Sequence, residues 1–149
     1  MQVHDLRVGV FDSGATILGG VSFELRAGEI FALVGESGSG KSVTSLAAMR
    51  LLPNALHITG GEVRLGGEDL FALPETKMQR VRGRRVAMIF QNAMSALNPV
   101  QSAGEQVAET LRLHTRLGRH ALRQRVLQLF TEVGIPDPEA RYSFYPHQL

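Results

Sequence analysis

Hydrophobic and polar positions fall into short strand-like runs in the first part of the chain and helical stripes in the last. Residues 6–11 and 21–26 read as strands, the second with Val21, Phe23 and Leu25 on one face, because side chains alternate sides along a strand. Asp12-Ser13-Gly14 and Gly19-Gly20 read as the turns that punctuate them, being rich in residues that accept turn conformations. Ile30-Phe31-Ala32-Leu33-Val34 is apolar at every position, the pattern of a strand buried on both faces in a parallel sheet. A glycine-rich stretch, residues 35–40, follows it. Residues 42–52 then form a helical run that Pro53 helps to end, since proline cannot continue a helix. Residues 60–67 read as another short strand between glycine turns, and residues 86–90 as a second fully apolar strand ending at Gln91. Leu122, Val126, Leu129, Phe130 and Val133 lie on one stripe of a later helix, with Gly134 and Pro136 as its stop; spacings of four, seven and eight mark one helical face. No internal repeat or low-complexity tract interrupts this order. The expected architecture is α/β: a β-rich lobe, an α/β core and a helical appendage, all within one domain over residues 1–149.

Composition narrows the class. With 149 residues, 44% hydrophobic and 20% charged, the chain can build a core and does not resemble a disordered segment. Cysteine is absent, which removes disulfides and thiolate metal sites. Met1-Gln2-Val3-His4-Asp5 lacks the basic and apolar regions of a signal peptide, and no apolar run approaches the ~20 residues of a membrane-spanning helix. Any membrane role is therefore expected to work through a partner. The formal charge of +2 is too small to argue for nucleic acid as a partner. The choice of base is more informative. Fourteen arginines stand against two lysines, Lys41 and Lys77. A chain that writes nearly all positive charge as Arg still puts Lys at position 41, where a compact ammonium on a flexible stem is wanted.

That lysine lies in Gly35-Glu36-Ser37-Gly38-Ser39-Gly40-Lys41-Ser42, a full match to G-x-x-x-x-G-K-[ST] between an apolar run and a helix. Glycines let the backbone wrap closely around phosphates. Backbone N–H groups and the helix N-terminus then face the anion. Lys41 can reach β- and γ-phosphates, and the Ser42 hydroxyl can ligate Mg²⁺. ATP with Mg²⁺ is the expected ligand. Glu36 reads as solvent-facing. Lys77, Arg80, Arg82, Arg84 and Arg85 form a basic run without interleaved aromatics, expected to be a solvated face. The five histidines show no tight ligand spacing.

The flanks of this loop carry a family resemblance. Gly19-Gly20-Val21-Ser22-Phe23-Glu24-Leu25-Arg26-Ala27-Gly28-Glu29-Ile30, leading into the loop, resembles the opening of ABC-transporter nucleotide-binding domains. Several stretches are similar to the dipeptide and oligopeptide (nickel) permease branch: Val43-Thr44 after the loop, Met49-Arg50-Leu51-Leu52-Pro53, Arg82-Gly83, residues 88–92, Leu97-Asn98-Pro99 and Gly134-Ile135-Pro136-Asp137-Pro138. Tyr145-Pro146-His147-Gln148-Leu149 looks like the approach to the ABC signature. Asn92-Ala93 and Ser95-Ala96 depart from the Asp-Pro and Thr-Ser common there.

The resemblance implies a P-loop NTPase core with an N-terminal antiparallel β lobe and the start of a helical subdomain. It implies that Phe11 stacks on adenine, unless it is a core Phe on its strand, and that Gln91 senses the γ-phosphate through Mg²⁺ or water. It also implies an ATPase energising an importer of peptides or related small solutes. Its partners would be transmembrane permease subunits, a second ATPase subunit and, indirectly, a solute-binding protein, on the cytoplasmic face of the inner membrane. No apolar run here ends in Asp-Glu. The chain is therefore expected to be the front part of such a domain, able to bind nucleotide but not to turn it over. An ABC protein acting outside transport, or an inactive nucleotide-binding remnant, are the alternatives.

Overall fold

β1 (Gln2–Val10) and β2 (Thr16–Glu24) form an antiparallel hairpin. Its turn is the Asp12-Ser13-Gly14 segment: Gly14 N–H donates to Val10 O at 3.0 Å, and Val10 N–H to Ala15 O at 2.9 Å. The computed structural model describes residues 1–91 and 96–149, and these divide into two units, Met1–Arg82 and Gly83–Leu149.

In the first unit β3 (Leu56–Leu65) pairs with the free edge of β1, and β4 (Glu68–Asp69) returns along β3, giving the antiparallel order β2-β1-β3-β4. Gly19-Gly20 is not a turn, and neither is Gly60-Gly61. Both pairs lie inside strands, on either side of a bulge in β1. From Val3 to Leu6 the strand advances three residues while β2 advances two, from Phe23 to Val21. Asp5, at φ 47°, takes up the extra residue. Glycine is required opposite it: at Gly61, with φ 87°, a Cβ would lie 2.3 Å from Asp5 O. The bulge resets the alternation, so Val3 before it and Leu6 and Val8 after it all turn inward and are buried, as are Leu18, Val63, Leu70 and Met78. Each such Leu or Val contributes about 1.5–3 kcal/mol when fully buried.

α1 (Lys41–Ala48) buries Thr44, Ala47 and Ala48 and ends earlier than the sequence suggests. Arg50, not Pro53, stops it. Arg50 is left-handed at φ 54°. Its N–H donates to Ala47 O at 2.9 Å, and Leu51 N–H donates to Leu46 O at 2.8 Å, the bond pair of a Schellman cap. A non-glycine residue in that conformation costs about 1–2 kcal/mol, and Arg82 offsets it. From the end of α2 (Glu75–Val81), Arg82 Nε donates to Met49 O at 2.8 Å and Nη2 to Arg50 O at 3.1 Å. Its Nη1 pairs with Glu75, which also pairs with Arg50 at 3.3 Å. Arg82 thus departs from the solvated face expected of its basic run: its side chain is only 18% exposed.

The second unit contains α3 (Ala103–His114), α4 (Arg119–Glu132), α5 (Pro138–Arg141) and a 3-10 turn at Pro146–Gln148. Ala103, Ala108, Leu122, Val126 and Phe130 form its core, with Val107, Leu111, Ile135 and Tyr142 packed against it. Three members of the expected stripe are there. Leu127 is buried beside them, whereas Val133 is exposed because it is the C-cap of α4. Gly134 ends the helix as expected: its N–H donates to Thr131 O at 3.0 Å, and Ile135 N–H to Phe130 O at 2.9 Å.

Two expected strands do not form. Residues 30–34 and 86–90 enter no sheet, and Ile30, Val34 and Ile89 are 99%, 88% and 93% exposed. A strand exists only through hydrogen-bonded neighbours, and among the described residues none runs alongside either segment. Val86 instead closes a turn, accepting from Gly83 N–H at 2.8 Å.

Candidate nucleotide-binding site

The loop Gly35-Glu36-Ser37-Gly38-Ser39-Gly40 leads into α1, and Gly40 is the N-cap, with φ 91°. A side chain is disfavoured there on two counts. The conformation is left-handed, and a Cβ would lie 2.5 Å from Leu18 Cδ2. Gly40 O receives Thr44 N–H at 2.8 Å and Thr44 Oγ1 at 3.0 Å, so the first turn is tied from within. The amides preceding Thr44 at this helix start have no intrahelical acceptor, as at every helix N-terminus, and together with the helix dipole they favour an anion.

Lys41 reaches back over the loop. Its Nζ donates to Gly35 O at 2.7 Å, Glu36 O at 2.6 Å and Ser39 Oγ at 3.3 Å. The ammonium is thereby placed between two loop carbonyls and a loop hydroxyl. Ser39 N–H also donates to Glu36 O at 3.2 Å. The Glu36 side chain is exposed, as are Gly35, Ser37, Gly38, Ser39 and Ser42, while Gly40 and Lys41 are half-buried. A glycine-rich loop with one ammonium, helix-start amides without an intrahelical acceptor and an adjacent hydroxyl is a donor set that could take the phosphates of a nucleotide. Among the described residues no three His, Asp or Glu side chains converge to hold a metal ion.

Phe11 follows the last residue of β1, and its N–H donates to Ala55 O at 3.0 Å. It is 61% exposed and so does not behave as a core Phe. The His57 imidazole lies against one face of its ring, centroids 4.1 Å apart and planes 26° from parallel. Gln91 belongs to the second unit and is exposed. Asn92, Ala93 and Ser95, singled out in the sequence, lie outside the described residues.

Electrostatics in the second unit centre on Glu105. Arg112, at 2.7 Å, and the Tyr142 hydroxyl, at 2.7 Å, hold its carboxyl below the usual carboxylate range. Burial, then the bond to Glu105, pushes the Tyr142 phenol up. These groups border a cleft of about 880 Å³ that also takes in Arg119, His120 and Arg123. None of them was marked by a motif. Arg82 and His57 were missed for a related reason: their partners lie far away in sequence.

A loop of this shape at the head of a helix, beside an antiparallel lobe, defines a P-loop nucleotide-binding protein. Residues 18–149 match the ABC transporter family, and the chain belongs to it. Aligned over 99% of its length, it is 44% identical to the dipeptide transport ATP-binding protein of Bacillus subtilis, covering 45% of that relative. It is 42% identical to the oligopeptide transport ATP-binding protein of the same organism, covering 42%. It is 44% identical to the peptidoglycan transport ATP-binding protein of Agrobacterium fabrum, covering 28%. The chain thus spans less than half the length of these relatives.

Among solved structures, a dimeric bacterial ABC transporter cassette superposes with a TM-score of 0.82 at 23% identity, over all of this chain and 63% of that one. A dimeric post-hydrolysis cassette bound to ADP and Pi gives 0.79 at 22%, with the same coverage. The fold is therefore that of the ABC cassette, α/β as expected. No helix among the described residues is long and apolar enough to cross a membrane.

Proposed function

We propose that the chain is part of an ATP-hydrolysing subunit that energises an ABC importer of peptides or related small solutes. The observation that carries the reading is the Lys41 ammonium held over the loop at the start of α1, in a chain akin to proteins named for dipeptide and oligopeptide transport. Both units then belong to one nucleotide-binding domain. Phe11 would face the adenine. Gly35, Glu36, Ser37, Gly38, Ser39, Gly40, Lys41 and Ser42 would hold the phosphates, and the Ser42 hydroxyl would be a ligand to Mg²⁺. When bound, Mg·ATP supplies the labile γ-phosphoryl group and the charge neutralisation its transfer needs. The chain's own contributions are to seat the phosphates by backbone amides, to place a positive charge beside them through Lys41, and to orient water through Gln91.

Permease subunits and a second ATPase subunit are the partners this reading requires, at the inner face of the membrane. Residues 1–149 hold no acidic pair at the end of an apolar run, so by themselves they bind nucleotide without turnover.

The test uses the longer protein that contains this chain, assembled with its membrane subunits in vesicles. ATP binding in the presence of Mg²⁺ and peptide-dependent phosphate release are expected. Absence of ATP binding overturns the nucleotide reading. Release that responds to another solute class but to no peptide overturns the substrate class alone.

A further inference from the structure

We infer that His57 is a positioning residue that backs the Phe11 ring and presents its outer face to the base; the inference rests on the adenine-stacking reading above. A phenyl ring has two faces. One is taken by the imidazole, stacked at 4.1 Å, and the 61% exposure of Phe11 leaves the other open.

The strand register explains how His57 gets there. His57 on β3 is opposite Gly9 on β1, so Phe11 is its diagonal neighbour, two residues on and within reach of an aromatic side chain. Position 9 is a glycine, and a Cβ there would be in ordinary contact with His57 Cε1 at 3.7 Å and tight against Thr59 Cγ2 at 3.1 Å. The contact that the described residues give the imidazole is the stack on Phe11, while its Nδ1 has no hydrogen-bond partner among them. The ring contact itself, at 4.1 Å and 26° from parallel, is what seats the imidazole beside Phe11. The consequence is preorganisation. An exposed phenylalanine just past the end of a strand would otherwise lose rotamer freedom on meeting its ligand, and a backing ring removes that cost in advance.

The experiment uses the longer protein and compares ATP with tripolyphosphate, which shares the phosphates but has no base. His57→Ala is expected to weaken ATP binding about three- to tenfold, the worth of one stacked aromatic pair, with tripolyphosphate unchanged. His57→Phe should restore ATP affinity, while His57→Leu, which keeps bulk but offers no ring face, should not. If His57→Ala and His57→Leu bind ATP like wild type while Phe11→Ala is weakened, the inference falls and base stacking stands. If Phe11→Ala also binds like wild type, base stacking falls and the inference with it. Equal loss of ATP and tripolyphosphate in His57→Leu would make His57 a general structural residue and overturn the inference.

Discussion

Replacing Lys41 by alanine tests the cradle directly. An ammonium about 4 Å from a phosphate oxygen gains roughly 4 kcal/mol at an effective dielectric near 20. That gain is not all net. Nζ already donates to Gly35 O, Glu36 O and Ser39 Oγ at 2.7, 2.6 and 3.3 Å, and an ammonium has only three protons. To meet a phosphate it must give up at least one loop bond, worth about 1 kcal/mol or somewhat more. The expected loss in ATP affinity is therefore about 2–3 kcal/mol, or roughly 30- to 150-fold in Kd. Titration calorimetry with ATP, ADP and adenosine on the longer protein reads this out. ATP should suffer most and adenosine not at all, because only the phosphates meet the charge. Lys41→Arg should recover little, since a planar fork cannot place three protons among the same three acceptors. An ATP Kd within twofold of wild type, or an equal loss for adenosine, would refute the reasoning.

Gln91→Ala should leave ATP binding nearly intact and cut phosphate release roughly tenfold or more, the effect of losing a water-orienting group; a change confined to Kd would move Gln91 out of that role. Arg82→Met removes both bonds to the carbonyls that end α1 and should cost about 2–3 kcal/mol. In a thermal melt that is roughly 4–12 °C, and an unchanged midpoint would return Arg82 to a solvated face. The carboxyl of Glu105 is held low first by Arg112 and then by Tyr142. Its stabilising contribution is thus present above the unfolded value near ~4.3 and is lost as pH falls through the lower folded value. Glu105→Gln should accordingly lower the melting midpoint at neutral pH and converge with wild type in acid, whereas a pH-independent difference would contradict the assignment.

The loop at the head of α1 was legible because it is local. Eight consecutive residues carry the phosphate motif, and the Asp12-Ser13-Gly14 turn and the Gly134 stop are likewise decided by nearest neighbours. What escaped depends on register or distance. Gly19-Gly20 and Gly60-Gly61 look like turns by composition, yet they serve a bulge at Asp5 that exists only once β2 and β3 pair with β1. Arg82 bonds to residues 32 and 33 positions earlier, which a run of basic residues does not reveal. His57 reaches Phe11 across a strand pair. Residues 30–34 and 86–90 mark the opposite error: an apolar run records a demand for burial and not its fulfilment.

That last difference bears on how the cradle keeps its shape. A phosphate loop is usually described as slung between a strand and a helix, and among the described residues no strand pairs with the segment before this loop. Several contacts on the helix side bear on the loop's geometry. Gly40 sits against Leu18 of β2 so closely that a Cβ would intrude, which fixes the helix start to the antiparallel lobe. Thr44 ties Gly40 O by both backbone and side chain. Lys41 then bridges back to Gly35 O and Glu36 O, pulling the front of the loop towards its own helix. The residue that would meet phosphate is thus also the one that folds the loop over the phosphate position. Losing Lys41 should loosen the ligand-free loop as well as weaken its ligand. Tripolyphosphate binding and amide-exchange protection of Ser39, whose N–H donates to Glu36 O, are expected to fall together in Lys41→Ala, and retained protection would separate the two roles.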